Sequence, residues 1–271
     1  QEEYCQLQIT KWEESEGIKI RPRTTPGPVA LGMDENPVDG GKRIRSVIGG
    51  LMYLARGTRP DIAFAVNYLA RYSTKWGANM EKNLSHLLGY LKQYPGNSVE
   101  ICNRRDDWED LEIHIYADAS FAEPRSTTGW LVFLVGPKGS VYLVDWQSKG
   151  QALATTSTAE AEITALMTAL KAGLRIGAML DVTRKKTTQL RLFTDNESVR
   201  LAASRGHSPA LAHLRKHAGL SLSFLRESGV DFVKVPGTQN PADVLTKAVD
   251  RQVLNRLIIV LQRPPSSSGQ V

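Results

Sequence analysis

Cysteine is scarce in this chain: Cys5 and Cys102 are the two among 271 residues, and they stand far apart in no metal-type spacing. That excludes a disulfide scaffold and a cysteine zinc site, and it makes both residues expected free thiols of an intracellular protein. Long apolar runs are missing as well. None approaches the length that crosses a bilayer, and the start, QEEYCQLQIT, lacks the basic-then-apolar layout of a signal peptide. No membrane partner is expected. An initiator Met is also absent, which suggests a fragment or a processed product. With 41% hydrophobic residues the chain can bury a substantial core, arranged as one or two domains.

What is present is charge, unevenly spread. Against a net of +6, residues 42–105 hold 11 Lys/Arg and 3 Asp/Glu, residues 1–41 hold 4 and 8, and residues 106–250 hold 16 and 17. A basic segment of this kind is either a solvated face or a surface that tracks phosphates.

Taken in order, residues 1–41 offer a short strand at Tyr4 to Thr10 and then a Pro- and Gly-rich stretch, IKIRPRTTPGPVALGMDENP, which reads as an extended arm or linker. Residues 42–105 turn helical. Ile44, Val47, Ile48, Leu51, Leu54 and Ala55 recur at steps of three and four up to Gly57; Ile62, Ala65, Val66 and Leu69 follow Pro60; Met80, Leu84, Leu87, Leu88 and Leu91 line a third helix. These make a small basic bundle whose outer faces are expected to carry Arg56, Arg59, Arg71, Lys75, Lys82 and Lys92. Asp106 and Asp107 do not resemble a polymerase pair, because Arg104 and Arg105 precede them and no apolar hairpin flanks them.

Residues 111–250 read β-β-β-α-β-α-α-β-α. The strands are EIHIYADASFA, GWLVFLV, SVYLVDW, QLRLFT and VDFVKV. Helices are expected from the capping stretch TTST to about Gly173, over Asn196 to Ser204, from about Ala210 to Glu227, and from Pro241 onward. This is an α/β pattern: a mixed five-stranded sheet with flanking helices. Residues 251–271 are expected to hold the end of the last helix and a disordered tail over 264–271.

Four acids stand at element ends: Asp118, Glu162, Asp195 and Asp243. Singly, each has a bland explanation in turn chemistry or a helix dipole. Brought to one edge they would repel one another unless cations neutralised them. Oxygen-only ligands favour two Mg²⁺ ions, with Mn²⁺ as the substitute. Such a pair, roughly 3.5–4 Å apart, clamps the attacking and leaving oxygens of an in-line phosphodiester displacement.

Several blocks in one order carry a resemblance: IGGLMYLARGTRPDIAFAVNYLARY, YADASFA with STTGW, WQSKGQALATTSTAEAEITAL, LFTDNESV, KHAGLSLSFLRE and NPADVLTK. From Ser46 to about Val249 the chain resembles the C-terminal part of a copia-type LTR retrotransposon Pol polyprotein, covering a reverse transcriptase thumb or connection and then a ribonuclease H domain. The resemblance implies a ribonuclease H-like sheet preceded by the helical bundle. It implies that Asp118, Glu162, Asp195 and Asp243 are the catalytic metal-binding acids, and that the activity is hydrolysis of the RNA strand of RNA–DNA hybrids. Glu162 is preferred to Glu160 because Ile163 and Ala165 follow it in the family's step, leaving Glu160 as a supporting or surface acid. Partners implied are the hybrid and the upstream palm and fingers of the same polyprotein; the compartment implied is cytoplasmic, in a virus-like particle, or nuclear.

The sequence departs from the pattern at Ser120 and Phe121, at Ala218-Gly219, and in the loop Pro236 to Asn240, which lacks a His found in many ribonucleases H. Ser126, Thr127, Gln151 and Asn196 are candidate contacts to a nucleic-acid backbone or simple cap and turn residues. Arg215, Lys216 and His217 form a phosphate contact or a helix surface, and Arg56, Arg59, Arg71 and Lys75 help hold the duplex. His213 and His217 have the spacing of a zinc pair without a third ligand. An integrase-type core is disfavoured because the Glu precedes Asp195. A decayed or co-opted nucleic-acid-binding module remains the alternative, and polymerase activity is not expected.

Overall fold

The structure, a computed structural model, describes residues 1–121, 125–152, 155, 157–208 and 216–262, without the side chains of 105, 106, 216–218 and 259–262. The expected tail over 264–271 lies outside the described residues. Two compact units divide the chain: residues 1–99 with 247–258, and residues 100–246 with the end of the chain.

The first unit is built from helices. Residues Glu2–Glu16 form α1, which corrects the expected strand at Tyr4 to Thr10 and the expected arm over its whole length. The reason lies in spacing: Cys5, Gln8, Ile9 and Trp12 fall on one face at steps of three and four, and all four are buried. Beyond Gly17, residues 18–37 contain no helix or strand, so the arm begins there. Helices α2 (Gly41–Gly57), α3 (Ala63–Arg71) and α4 (Ala78–Gln93) follow at the expected positions. A helix over Arg251–Gln262, separate in sequence from the turn at Pro241, places Arg251 over the Tyr94 ring at 4.1 Å.

Arg59 is not on an outer face. It is 2% exposed and grips Asp61 with two bonds of 2.9 and 2.8 Å, while Tyr90 donates its hydroxyl to the same carboxylate at 2.7 Å. A buried guanidinium needs such a planar, two-pronged partner, because an unpaired buried charge is far costlier than the pair.

The second unit is a five-stranded sheet in the order β3-β2-β1-β4-β5, with β1 Glu112–Ser120, β2 Thr127–Val135, β3 Val141–Gly150, β4 Leu190–Thr194 and β5 Asp231–Lys234. The first three strands are antiparallel; β4 and β5 run parallel to β1. This mixed sheet with flanking helices is a ribonuclease H-like fold. Asp107 pins the β2–β3 turn by accepting the backbone N–H groups of Lys138 and Ser140, both at 2.8 Å, a structural task rather than a catalytic one.

Helix α5 spans Thr158–Arg184, eleven residues past the expected stop at Gly173. Gly173 instead marks close packing: a Cβ there would meet Ile115 Cδ1 at 2.2 Å. By length and composition this helix is apolar enough to cross a membrane, in contrast to the sequence expectation. Its residues Ile163, Leu166 and Leu170 are buried with Ile113, Ile115, Trp130 and Leu192 in the core of the sheet. Two shorter helices, α6 (Glu197–Arg205) and α7 (Lys216–Glu227), complete this layer, and the helix of Arg251–Gln262 is α8.

The expected helix from Pro241 is a short 3₁₀ turn, Pro241–Leu245. It lies against β1 and β2. Asn240 donates to the Ala117 carbonyl at 3.0 Å, and a Cβ at Gly129 would stand 2.7 Å from Leu245 Cβ and 3.0 Å from the Ala242 carbonyl oxygen. Gly129→Ala is therefore expected to push this turn off the strand pair, lowering stability by about 1–3 kcal/mol. Urea unfolding measures the loss, and amide exchange should quicken at residues 242–246.

His114 sits in β1 against the Phe193 ring, with centroids 5.1 Å apart. Burial lowers its pKa below the ordinary value, the neighbouring Glu112 opposes that shift, and Arg191 reinforces it. The unfolded chain therefore takes up a proton at this residue at a higher pH than the folded one. Stability from this group is present above about pH 6.5 and is lost as the pH falls from there toward the folded value. Melting temperatures between neutral and mildly acidic pH should show this slope, and His114→Phe should flatten it.

Candidate functional site

Three of the four expected acids meet. Asp118, Glu162 and Asp195 each offer a carboxylate oxygen, and these atoms lie within 4.8 Å of one another; among the described residues no other such group of His, Cys, Asp or Glu occurs. Asp118 lies inside β1, opposite Gly129 and two residues before the strand ends, rather than beyond it as the sequence suggested. Glu162 comes from the start of α5, and small residues let it approach: Ala119 of β1 packs directly on Ala161 and Ala165. Asp195 follows β4 at a bend, where a Cβ on Gly237 would stand 3.1 Å from its Oδ2.

Asp118 and Glu162 are 4% and 5% exposed, and Asp195 is half-buried. Like charges this close, two of them withdrawn from water, repel one another, and a cation placed among them would relieve that repulsion. The donor set is all oxygen and suits a hard divalent ion. Glu160 stands apart from the group, as the sequence argued, but it is fully buried rather than a surface acid.

Asp243 lies on the 3₁₀ turn and outside the three-acid group. Thr246, a residue the sequence reading did not single out, links the two. Its hydroxyl touches Asp118 Oδ2 and lies 3.0 Å from the Asp243 carbonyl oxygen, its single proton serving one at a time. No periodicity marks Thr246; it was visible merely as part of NPADVLTK.

Several expected nucleic-acid contacts prove internal. Ser126 and Thr127 are buried, with Ser126 Oγ 2.7 Å from Thr155 Oγ1. Gln151 is buried and donates to Thr128 Oγ1 and the Ala161 carbonyl, both at 2.9 Å, tying β2 to α5. Asn196 caps α6 by accepting from the Val199 N–H at 3.1 Å. Of these four, Asn196 serves as a helix cap, the other reading given to these residues. Arg56 and Lys75 are exposed on the first unit and Arg71 is half-buried there, whereas Arg59 is committed to Asp61. Lys82 is exposed, and Lys92 pairs with Glu13 at 2.7 Å. Arg215 and His213 lie outside the described residues, as do the side chains of Lys216 and His217.

No family model matches the chain. Its sequence is 28% identical over 237 residues to the retrovirus-related Pol polyprotein from transposon RE2 of Arabidopsis thaliana, covering 83% of this chain and 15% of that protein. The Pol polyprotein from transposon TNT 1-94 of Nicotiana tabacum is 28% identical over 215 residues, covering 76% of this chain and 15% of its own length. Secreted RxLR effector protein 161 of Plasmopara viticola is 31% identical over 125 residues, 45% of this chain and 82% of that protein. Among solved structures, RNase H1 from Halobacterium salinarum NRC-1 aligns with a TM-score of 0.35 and 19% identity, covering 50% of this chain and 94% of that one. The chain thus spans about 15% of the length of the transposon polyproteins it matches. Sequence blocks and relatives agree: the chain is similar to a region of the copia-type retrotransposon Pol polyproteins, and its sheet order is that of a ribonuclease H-like fold.

Proposed function

We propose that this chain is the ribonuclease H of its element, hydrolysing the RNA strand of RNA–DNA hybrids with divalent cations held by Asp118, Glu162 and Asp195. The observation that carries the reading is the convergence of those three carboxylates from β1, α5 and the end of β4. Bound there, Mg²⁺ or Mn²⁺ supplies Lewis-acid activation of water and charge stabilisation at the phosphate. The protein's part is to hold its oxygens on rigid elements, with Thr246 orienting Asp118 and the Asn240 bond fixing the turn beside it. Asp243 is the proposed fourth acid, carried on that turn. Selection of the hybrid would come from contacts to 2′-hydroxyls on one strand and from shape on the other. The upstream palm and fingers of the same polyprotein would deliver the hybrid, in a cytoplasmic particle or the nucleus.

A second reading, a co-opted module that binds nucleic acid without cutting, is favoured by the position of Asp243 outside the three-acid group. A cleavage assay on a hybrid labelled in its RNA strand separates the two. The wild-type chain should cut in Mg²⁺ or Mn²⁺ and not in a chelator, and Asp118→Asn should lower the rate by at least a hundredfold, about 2.7 kcal/mol of barrier. Absence of cutting in both metals would leave the binding module.

A further inference from the structure

The first unit contains a basic groove that the acidic cluster does not explain. It lies between the arm and α4, lined by Lys19, Arg21 and Arg23 from the arm and by Lys82, Ser85 and His86 from the helix, with Ile18, Ile20 and Val29 as its apolar lining. The sequence KIRPR explains the arm's half. Ile20 is buried while Lys19, Arg21 and Arg23 beside it are exposed, so the arm turns an apolar residue inward and its cations outward.

The arm is held in place, so these cations are presented on a fixed frame. Ile20 N–H donates to Glu13 Oε1 at 2.8 Å, and Arg23 N–H to the Gly89 carbonyl at 3.1 Å. Further along, Asn83 Oδ1 accepts from both Val29 and Ala30 N–H groups at 2.9 Å, and its amide donates back to the Ala30 carbonyl at 2.7 Å.

Acids near the groove are largely occupied. Glu13, which Lys19 touches at 3.3 Å, also binds Lys92 at 2.7 Å, and Glu16 and Glu81 both pair with Arg43. Lys19 remains 87% exposed. His86 reports the resulting field. Its pKa is lowered first by burial and then by Arg23, a hydrogen bond with Thr25 opposes the shift, and Lys82 adds a smaller lowering.

We propose that this groove binds the phosphodiester backbone of a nucleic-acid strand, with Lys19, Arg21, Arg23 and Lys82 as its cations and Ser85 and His86 as hydrogen-bonding partners. Binding here is independent of cleavage at the acidic cluster. Nucleic acid fits better than a lipid surface because the cations line a groove from two sides, the arm and α4, rather than covering a flat face.

The test uses the full chain in chelator, so that no cleavage occurs, and follows the anisotropy of a short labelled single-stranded DNA over a range of KCl concentrations. The double variant Arg21→Gln/Arg23→Gln should lose roughly tenfold in affinity at low salt and shallow the log–log salt slope by about 1.4. Its thermal melt should match the wild type, because the arm is held by backbone bonds that Gln retains. Binding is read in chelator and cleavage in Mg²⁺, so failure of cleavage and failure of this groove are separate results. An unchanged slope in the folded double variant overturns the proposal. So does an equal loss in Lys171→Gln/Arg175→Gln, two exposed cations of α5, since general positive charge would then suffice. Tighter binding to phosphatidylserine vesicles than to DNA, lost in the same double variant, would assign the groove to lipid instead.

Discussion

Carboxylates gathered where the central strand β1, the start of α5 and the end of β4 meet are the constraint around which the second unit is arranged. Two like charges about 4 Å apart cost on the order of 4 kcal/mol at an effective dielectric near 20. Asp118 and Glu162 are almost withdrawn from solvent, so water cannot relieve that repulsion as it would on an open surface. The surroundings answer in two ways. Thr246 supplies a hydrogen bond to Asp118, and the geometry leaves oxygen atoms from three elements aimed at a shared point where a cation would be stabilised. A cluster of acids withdrawn from water in this way marks a candidate functional site.

That placement depends on residues that carry no charge. Ala119, Ala161 and Ala165 allow α5 to sit close enough for Glu162 to reach β1. Gly129, paired opposite Asp118, opens room for the turn at Pro241–Leu245, and Asn240 ties that turn to the backbone of Ala117, the residue before Asp118. Small side chains and one amide thus determine where the acids go. Substitutions among them would act on the site by displacing its frame while leaving the charges in place.

The sheet was legible because its strands have the simplest signals. Ile113, Ile115 and Ala117 alternate inward in β1, β2 is a continuous apolar run, and the capping Ser157 announces α5. Asp118, Glu162 and Asp195 were legible through the blocks that contain them. What the sequence could not convey was depth. Gln151, Ser126 and Arg59 look like surface polar groups, yet each is buried against specific partners: Thr128 and Ala161 for the Gln151 amide N–H groups, Thr155 for Ser126, and Asp61 for Arg59. Those partners are distant in sequence or, for Arg59 and Asp61, ambiguous at a spacing of two. Polar satisfaction is a property of the folded packing, and composition does not report it.

Segmental net charge misled for a related reason. Residues 42–105 are strongly basic, and residues 1–41 are acidic. In the folded first unit those charges partly cancel across elements: α1 contributes Glu13 and Glu16, which engage Lys92 and Arg43 of the basic segment. The acidic helix therefore consumes part of the bundle's positive charge, while the nominally acidic stretch also contains the arm, whose Lys19, Arg21 and Arg23 stand exposed. The positive potential thus arises at a place that neither segment's sum identifies. A charge count becomes a statement about binding only once pairing has removed the cations already occupied by the protein itself.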